Sequence, residues 1–353
     1  MGDSGNNLRA EVPQQRPLWR RILPRLLFLA LSVGVLYFFL PTVVDFFDDS
    51  KKLASVEWWW YAIMAAFMSG AFVSAWELNR IALLGVSRFV VASSQLVANA
   101  LSKVIPGGAV AAGATLFQML SVSGNPRPQV AAALAAVAFI SNLVLFSLPV
   151  VALLIAAISA PIPQGLLPVA VAGAVLFTLL FSGVFLLVKY DRVLLMVGGL
   201  IERIVGWLAR RLDRPWTSTA EDWLHRRNDV VDALGKRWFR ALAAAVLNWF
   251  LDYLVLVTAL YAIGAEPRPS LVLVAFAGAA VLGMIPITPG GIGFVEVGLV
   301  GMLVAAGIPG PDATLATLAY RLFQFWLPIP AGAVAYFLFK RKYGRPADLA
   351  TAD

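Results

Sequence analysis

Cysteine is absent from this chain, which excludes disulfides, thiolate nucleophiles and thiolate metal sites. Histidine is almost absent. His225 stands alone in a polar stretch, and one imidazole makes no metal centre. Charge is scarce as well: 14% of the 353 residues are charged, against about 25% in a soluble domain. No phosphate-binding Gly-x-x-x-x-Gly-Lys, nucleophile elbow or histidine-based metal pattern occurs, so no cofactor is expected.

Hydrophobic side chains fill the space left by these shortages. They make up 60% of the chain, with a mean hydropathy of +0.80. They fall in blocks of about 20, the length that crosses about 30 Å of hydrocarbon. Six blocks are long enough to span: Ile22–Leu40, Trp58–Leu78, Gln129–Ile158, Leu166–Lys189, Phe239–Ile263 and Ala313–Phe339. The first follows a basic, signal-like N-terminus but has no small-residue cleavage site after it, so it is read as an uncleaved span. Trp58, Trp59 and Trp60 open the second, as at a headgroup belt.

Two further apolar regions, 89–123 and 270–307, are each cut by Pro-Gly-Gly: Pro106, Gly107, Gly108 and Pro289, Gly290, Gly291. Proline removes a backbone donor and paired glycines unwind a helix. Each arm is short for a crossing, so each region reads as a re-entrant helical hairpin; two short full spans would give the same sidedness.

Shifting the chain by 183 residues lays the second half on the first. Both Pro-Gly-Gly triplets coincide, as do Gly124 with Gly307, Pro126 with Pro309, and Pro128 with Pro311. Glycine and proline matches in one ungapped frame mark repeated backbone geometry. The fold class that follows is an all-α polytopic membrane protein. It has about six spans plus two broken hairpins, arranged as an inverted-topology internal repeat.

The domain plan is a polar tail (1–21), then a first span with its outer loop (22–57). Repeat unit 1 (58–158) follows, then a connecting span with a cytoplasmic amphipathic segment (159–238). Repeat unit 2 (239–339) and a tail (340–353) complete it. With both termini cytoplasmic, 23 of the 28 Lys and Arg residues fall on the inner side, as positive-inside orientation demands. The arginines and tryptophans of 191–238 suit contact with anionic lipid, although the segment could also serve as a plain connector.

Charges within membrane segments cost at least about 2.5 kcal/mol each and are candidates for function. Glu296 follows Pro289 by seven residues, and Arg321 precedes Gln324 by one turn; Glu296 and Arg321 could pair. Asn248 with Asp252, and Asn99 with Lys103, share helix faces at four-residue spacing. Asn142 completes the candidate set for substrate binding. These groups could instead only bond helices together. As a set they could line a polar slot for an amphiphile with a charged head.

The run Ile287-Thr-Pro-Gly-Gly-Ile-Gly-Phe-Val-Glu296, then Ala-Gly-Ile-Pro309, then Ala319-Tyr-Arg321-Leu-Phe-Gln-Phe-Trp-Leu-Pro328, carries a family resemblance. It resembles the flippase-like transmembrane domain of lysylphosphatidylglycerol synthases, over about Ile22 to Phe339. The resemblance implies movement of a lipid headgroup between leaflets, with Glu296 and Arg321 at the matching motif positions. The synthases' soluble catalytic domain has no counterpart here, so a free-standing member without synthase activity is expected. Many relatives place a Glu and an Arg after the first-half break, where this chain reads Ala109 to Gln118 without either.

The sequence-level expectation is a lipid flippase or lipid transporter of the bacterial cytoplasmic membrane. Its partners would be membrane lipids: anionic or aminoacylated phospholipid, glycolipid, or polyprenyl-linked lipid. A homo-oligomer or an envelope-enzyme partner is compatible with the sequence, and nucleic acid is not expected. The alternatives are a membrane-embedded enzyme on a lipid or polyprenyl substrate, and a non-transporting partner of an envelope-synthesis enzyme.

Overall fold

The computed structural model describes residues 56–344 apart from 106–107, 123, 125, 160–162, 212–219 and 286–287. The first expected span, Ile22–Leu40, and the positions Pro106 and Gly107 lie outside the described residues. Among those described, all regular structure is helical. In chain order the helices are α1 (Trp58–Ala82), α2 (Arg88–Val104), α3 (Gly108–Ser121), α4 (Arg127–Ser159), α5 (Leu167–Lys189) and α6 (Asp191–Arg211). Then come α7 (Ala220–Leu234), α8 (Trp238–Ala262), α9 (Pro269–Gly283), α10 (Phe294–Ala305), α11 (Gly310–Arg321) and α12 (Pro328–Tyr343).

Five stretches are long and apolar enough to cross a membrane: Trp58–Ala82, Arg127–Ile155, Ala170–Leu187, Gly235–Ala262 and Gly310–Tyr343. They coincide with the five expected spans that fall on described residues. The protein is thus an all-α polytopic membrane protein. The arms around the breaks are shorter: α2 has 17 residues, α3 14, α9 15 and α10 12. At 1.5 Å per residue, a helix of that size reaches only about 18–26 Å.

Local chemistry closes the helices. The Ser87 hydroxyl caps α2 by accepting from the Val90 amide at 3.2 Å. Ser74 and Ser94 turn their hydroxyls back onto the Gly70 and Val90 carbonyls, so they bring no unpaired donor into an apolar setting. Gly124 and Gly307, related by the 183-residue shift, both take positive φ, 81° and 94°. Each stands in the turn before a long helix, where a left-handed residue reverses the chain.

The second break is longer than the Pro-Gly-Gly triplet alone suggests. Helix α9 ends at Gly283 and α10 starts only at Phe294. Between them Gly290, Gly291 and Gly293 all have positive φ, a conformation that cannot propagate a helix. The last span also differs from a continuous helix. Five residues, Leu322–Trp326, form a π turn between α11 and α12, closed by the Leu327 amide on the Leu322 carbonyl at 2.9 Å.

Lipid gives helices no hydrophobic reason to associate, so close backbone approach and interhelical hydrogen bonds must do it. Helix α1 packs along α8, α2 along α12 and α4 along α9. Small residues mark these seams. A Cβ on Gly332 would stand 2.6 Å from the Leu96 carbonyl oxygen, so α12 and α2 fit only because that side chain is missing. Asn248 on α8 donates to the Ala71 carbonyl of α1 at 2.9 Å. Exchanging α1 for α8, α2 for α9, and α4 for α11–α12 leaves this set of pairings unchanged.

One buried cluster joins Met64, Leu256, Phe276 and Leu299, and another joins Val91, Met119, Ala136 and Phe339. The outer faces stay apolar: Leu179, Phe181 and Phe185 of α5 and Phe337 of α12 are exposed, as lipid-facing side chains are.

Candidate functional site

Helices α2, α8 and α11, with the second break, bring most of the candidate residues together. Arg321 sits at the centre and is 4% exposed. Its Nε donates to Glu296 Oε1 at 2.7 Å, one Nη to Gln324 Oε1 at 2.9 Å, and the other to the Gly290 carbonyl at 3.2 Å. The guanidinium also lies over the Phe325 ring, 4.6 Å from its centroid. Arginine's fixed fork suits this three-way grip. Removing one partner of a buried pair like this costs about 3–5 kcal/mol.

Lys103 reaches the same place from the first half. Its Nζ donates to the Gln324 backbone carbonyl and stands 5.8 Å from the Phe325 centroid. The sequence removes one donor to that carbonyl. In a helix the amide four residues on would take it, but residue 328 is proline and has no N–H. Lys103 thus satisfies an acceptor that Pro328 leaves open.

The two broken regions touch here. A Cβ on Gly290 would lie 2.9 Å from Lys103 Cα and 3.1 Å from its carbonyl oxygen. The backbone of the second break therefore rests on the last turn of α2, immediately before the first.

Beside this contact lies a cavity of about 330 Å³ lined by Lys103, Asn142, Trp249, Asp252, Thr288 and Arg321 among others. A second, of about 180 Å³, is lined by Gln95, Asn99, Lys103, Asn248, Trp249 and Asp252, and it shares several of these walls. Of the eight candidate residues, seven line one or both cavities, and Glu296 joins through Arg321. Asn248 has its amide committed to helix packing through Ala71.

Four participants were not singled out from sequence. Tyr320 donates its hydroxyl to Asp252 Oδ1 at 3.1 Å. Trp249 walls both cavities and anchors its indole N–H on the Ser141 carbonyl at 3.0 Å. Phe325 lies under both cations. Thr288 is buried, and its hydroxyl has no partner among the described residues. Trp249 could have been found as the aromatic three positions from Asp252 on one helix face. Thr288 borders the Pro-Gly-Gly break and carries no such signal.

Other polar groups lie elsewhere. Glu77 and Arg80 pair at 2.7 Å at the end of α1. Arg227 of α7 meets Asp191 of α6 at 2.5 Å, tying the two helices of the polar segment together. Among the described residues, no group of three or more His, Asp or Glu could hold a metal ion.

The comparisons with known proteins agree with this architecture. A UPF0104 membrane protein of Methanothermobacter thermautotrophicus is 33% identical over 90 residues, which is 26% of this chain and 27% of that relative. The chain thus matches about a quarter of the length of that curated relative. The family model described as the lysylphosphatidylglycerol synthase TM region matches residues 25–332, and this chain, a multi-pass integral membrane protein, belongs to that family.

Proposed function

We propose that the protein moves the headgroup of a membrane lipid between leaflets, working as a transporter without chemical turnover. The observation that carries this reading is the meeting of two interrupted segments around buried charges beside a cavity. Broken backbone and buried charge are tolerated at membrane depth only inside protein or along a wet path. Here the Gly290 backbone rests on Lys103, and the cavity of about 330 Å³ opens beside them.

The 183-residue repeat and the exchange-invariant helix pairing support an inverted repeat with re-entrant hairpins. Inverted repeats with discontinuous helices place a substrate site near the midplane and alternate its access by rocking one unit against the other. Lys103 belongs to one unit, while Arg321, Asp252 and Glu296 belong to the other. Rocking would remake the contact between them and expose the polar wall to each leaflet in turn. The excess of basic residues in the loops read as inner supports a cell-membrane protein with both termini in the cytoplasm.

Purified protein reconstituted into liposomes with headgroup-labelled phospholipids tests the proposal. Dithionite quenching of outer-leaflet label reads movement. Protein-dependent movement is expected, lost on Arg321→Ala and reduced on Glu296→Gln, with monodispersity in detergent checked for each. A monodisperse wild-type protein that accelerates no labelled lipid overturns transport. Chemical change in the lipid would assign the site to an enzyme instead.

A further inference from the structure

Most buried charge at the site is already neutralised. Arg321 is answered by Glu296 at 2.7 Å and has two further acceptors. Two groups have no ion-pair partner at contact distance. Lys103 is 7% exposed and has no carboxylate within 4 Å among the described residues. Its one bond goes to a neutral carbonyl, so two of its three donors remain. Asp252 accepts a hydroxyl from Tyr320 and likewise has no cation within 4 Å among the described residues. Both line the same two cavities, yet they form no ion pair with each other. A buried charge without a contact partner is costly, and here one of each sign faces the same space.

Their surroundings differ in kind. Asp252 sits among rings: Trp249, Phe276 and Tyr320 line the larger cavity with it. Those rings are set edge-on in a chain, Trp249 to Phe276 at 6.2 Å and Phe276 to Tyr320 at 6.4 Å. A carboxylate beside aromatic faces recognises an ammonium. Lys103, over the Phe325 ring, shares its cavity wall with Thr288, whose hydroxyl has no partner among the described residues, while the Ser102 hydroxyl already donates to the Asn99 carbonyl at 2.7 Å. An ammonium with an open hydroxyl donor beside it recognises a phosphate oxygen.

From this juxtaposition, and resting on the transport reading above, we infer that the site takes a dipolar headgroup. Its phosphate goes to Lys103 and Thr288, and its amine to Asp252 and Trp249. A phosphodiester without an amine would leave Asp252 unanswered and is the poorer ligand. The Arg321–Glu296 pair is internally balanced and holds the break in place, so it does not read the headgroup's charge.

Equilibrium binding tests this apart from transport. Native mass spectrometry of the full chain in detergent would compare three short-chain probes. They are dioctanoyl phosphatidylethanolamine, its N-acetyl derivative, and dioctanoyl phosphatidylglycerol. The ethanolamine lipid should bind about tenfold or more tighter than the two amine-free lipids, the scale of one buried charge-assisted contact. Asp252→Asn should erase that preference and leave phosphatidylglycerol unchanged. Lys103→Gln should weaken all three. Equal binding of the three lipids to the wild type, or a preference that survives Asp252→Asn, overturns the inference. Competition by free phosphoethanolamine at the same concentration as the lipid overturns the lipid source and assigns a water-soluble zwitterion. Selective binding without movement in liposomes would sink transport alone; movement without selectivity would sink only this inference.

Discussion

Replacing Gly290 by alanine should damage the protein far more than replacing another positive-φ glycine of the same half, Gly307. Both have positive φ, 57° and 94°, so each substitution carries a left-handed penalty of about 1–2 kcal/mol. At Gly307 nothing lies within 4 Å of the new Cβ, and that penalty is the whole cost. At Gly290 the Cβ meets Phe325 Cε2 at 2.4 Å and Lys103 Cα at 2.9 Å. The phenyl ring can swing aside, but the backbone of α2 cannot move without parting the two broken regions. Overpacking of this kind adds about 1–3 kcal/mol, for a total of about 2–5 kcal/mol. Unfolding in mixed sodium dodecyl sulfate and dodecyl maltoside micelles, followed by circular dichroism, measures both variants. If Gly290→Ala and Gly307→Ala lose the same stability, the second break does not rest on Lys103 and the cluster is wrongly assembled.

The link between Pro328 and Lys103 predicts coupling. Lys103→Met should cost about 1 kcal/mol less in a Pro328→Ala background, where a restored amide can serve the Gln324 carbonyl. A double-mutant cycle in the same micelles reads it, and additive costs would contradict the link. Gly332→Ala should destabilise by about 1–3 kcal/mol by forcing α12 from the Leu96 carbonyl. Gly301→Ala, with open space around it, should be neutral within about 0.5 kcal/mol or stabilising. Equal effects at the two positions would refute the α2–α12 seam.

The spans were legible because apolar length alone decides them, and five helices stand where the blocks of Trp58–Leu78 through Ala313–Phe339 place them. The charged positions were legible for the same reason: Lys103, Asp252, Glu296 and Arg321 stand out against apolar neighbours. Their partners were harder to see. Tyr320 and Trp249 are ordinary residues in an aromatic-rich membrane chain, and only the packing of α8 on α11 makes them part of the site. The π turn at Leu322–Trp326 was hidden because a π turn and an α turn share one hydrophobic pattern over five residues. The second break outruns its triplet because Gly293, two residues beyond Gly291, leaves the helical region as well, and a lone glycine in an apolar run carries no such signal.

Whether the two broken segments enter the bilayer from opposite sides is read most directly by cysteine labelling, which the absence of native cysteine leaves free of background. Pro128→Cys and Pro311→Cys place a thiol at equivalent exposed positions of the two halves. A membrane-impermeant maleimide applied to intact cells should label the second alone, and the first only after the cells are opened. Labelling of both from the same side would contradict the inverted arrangement, and with it the passage of a headgroup between leaflets.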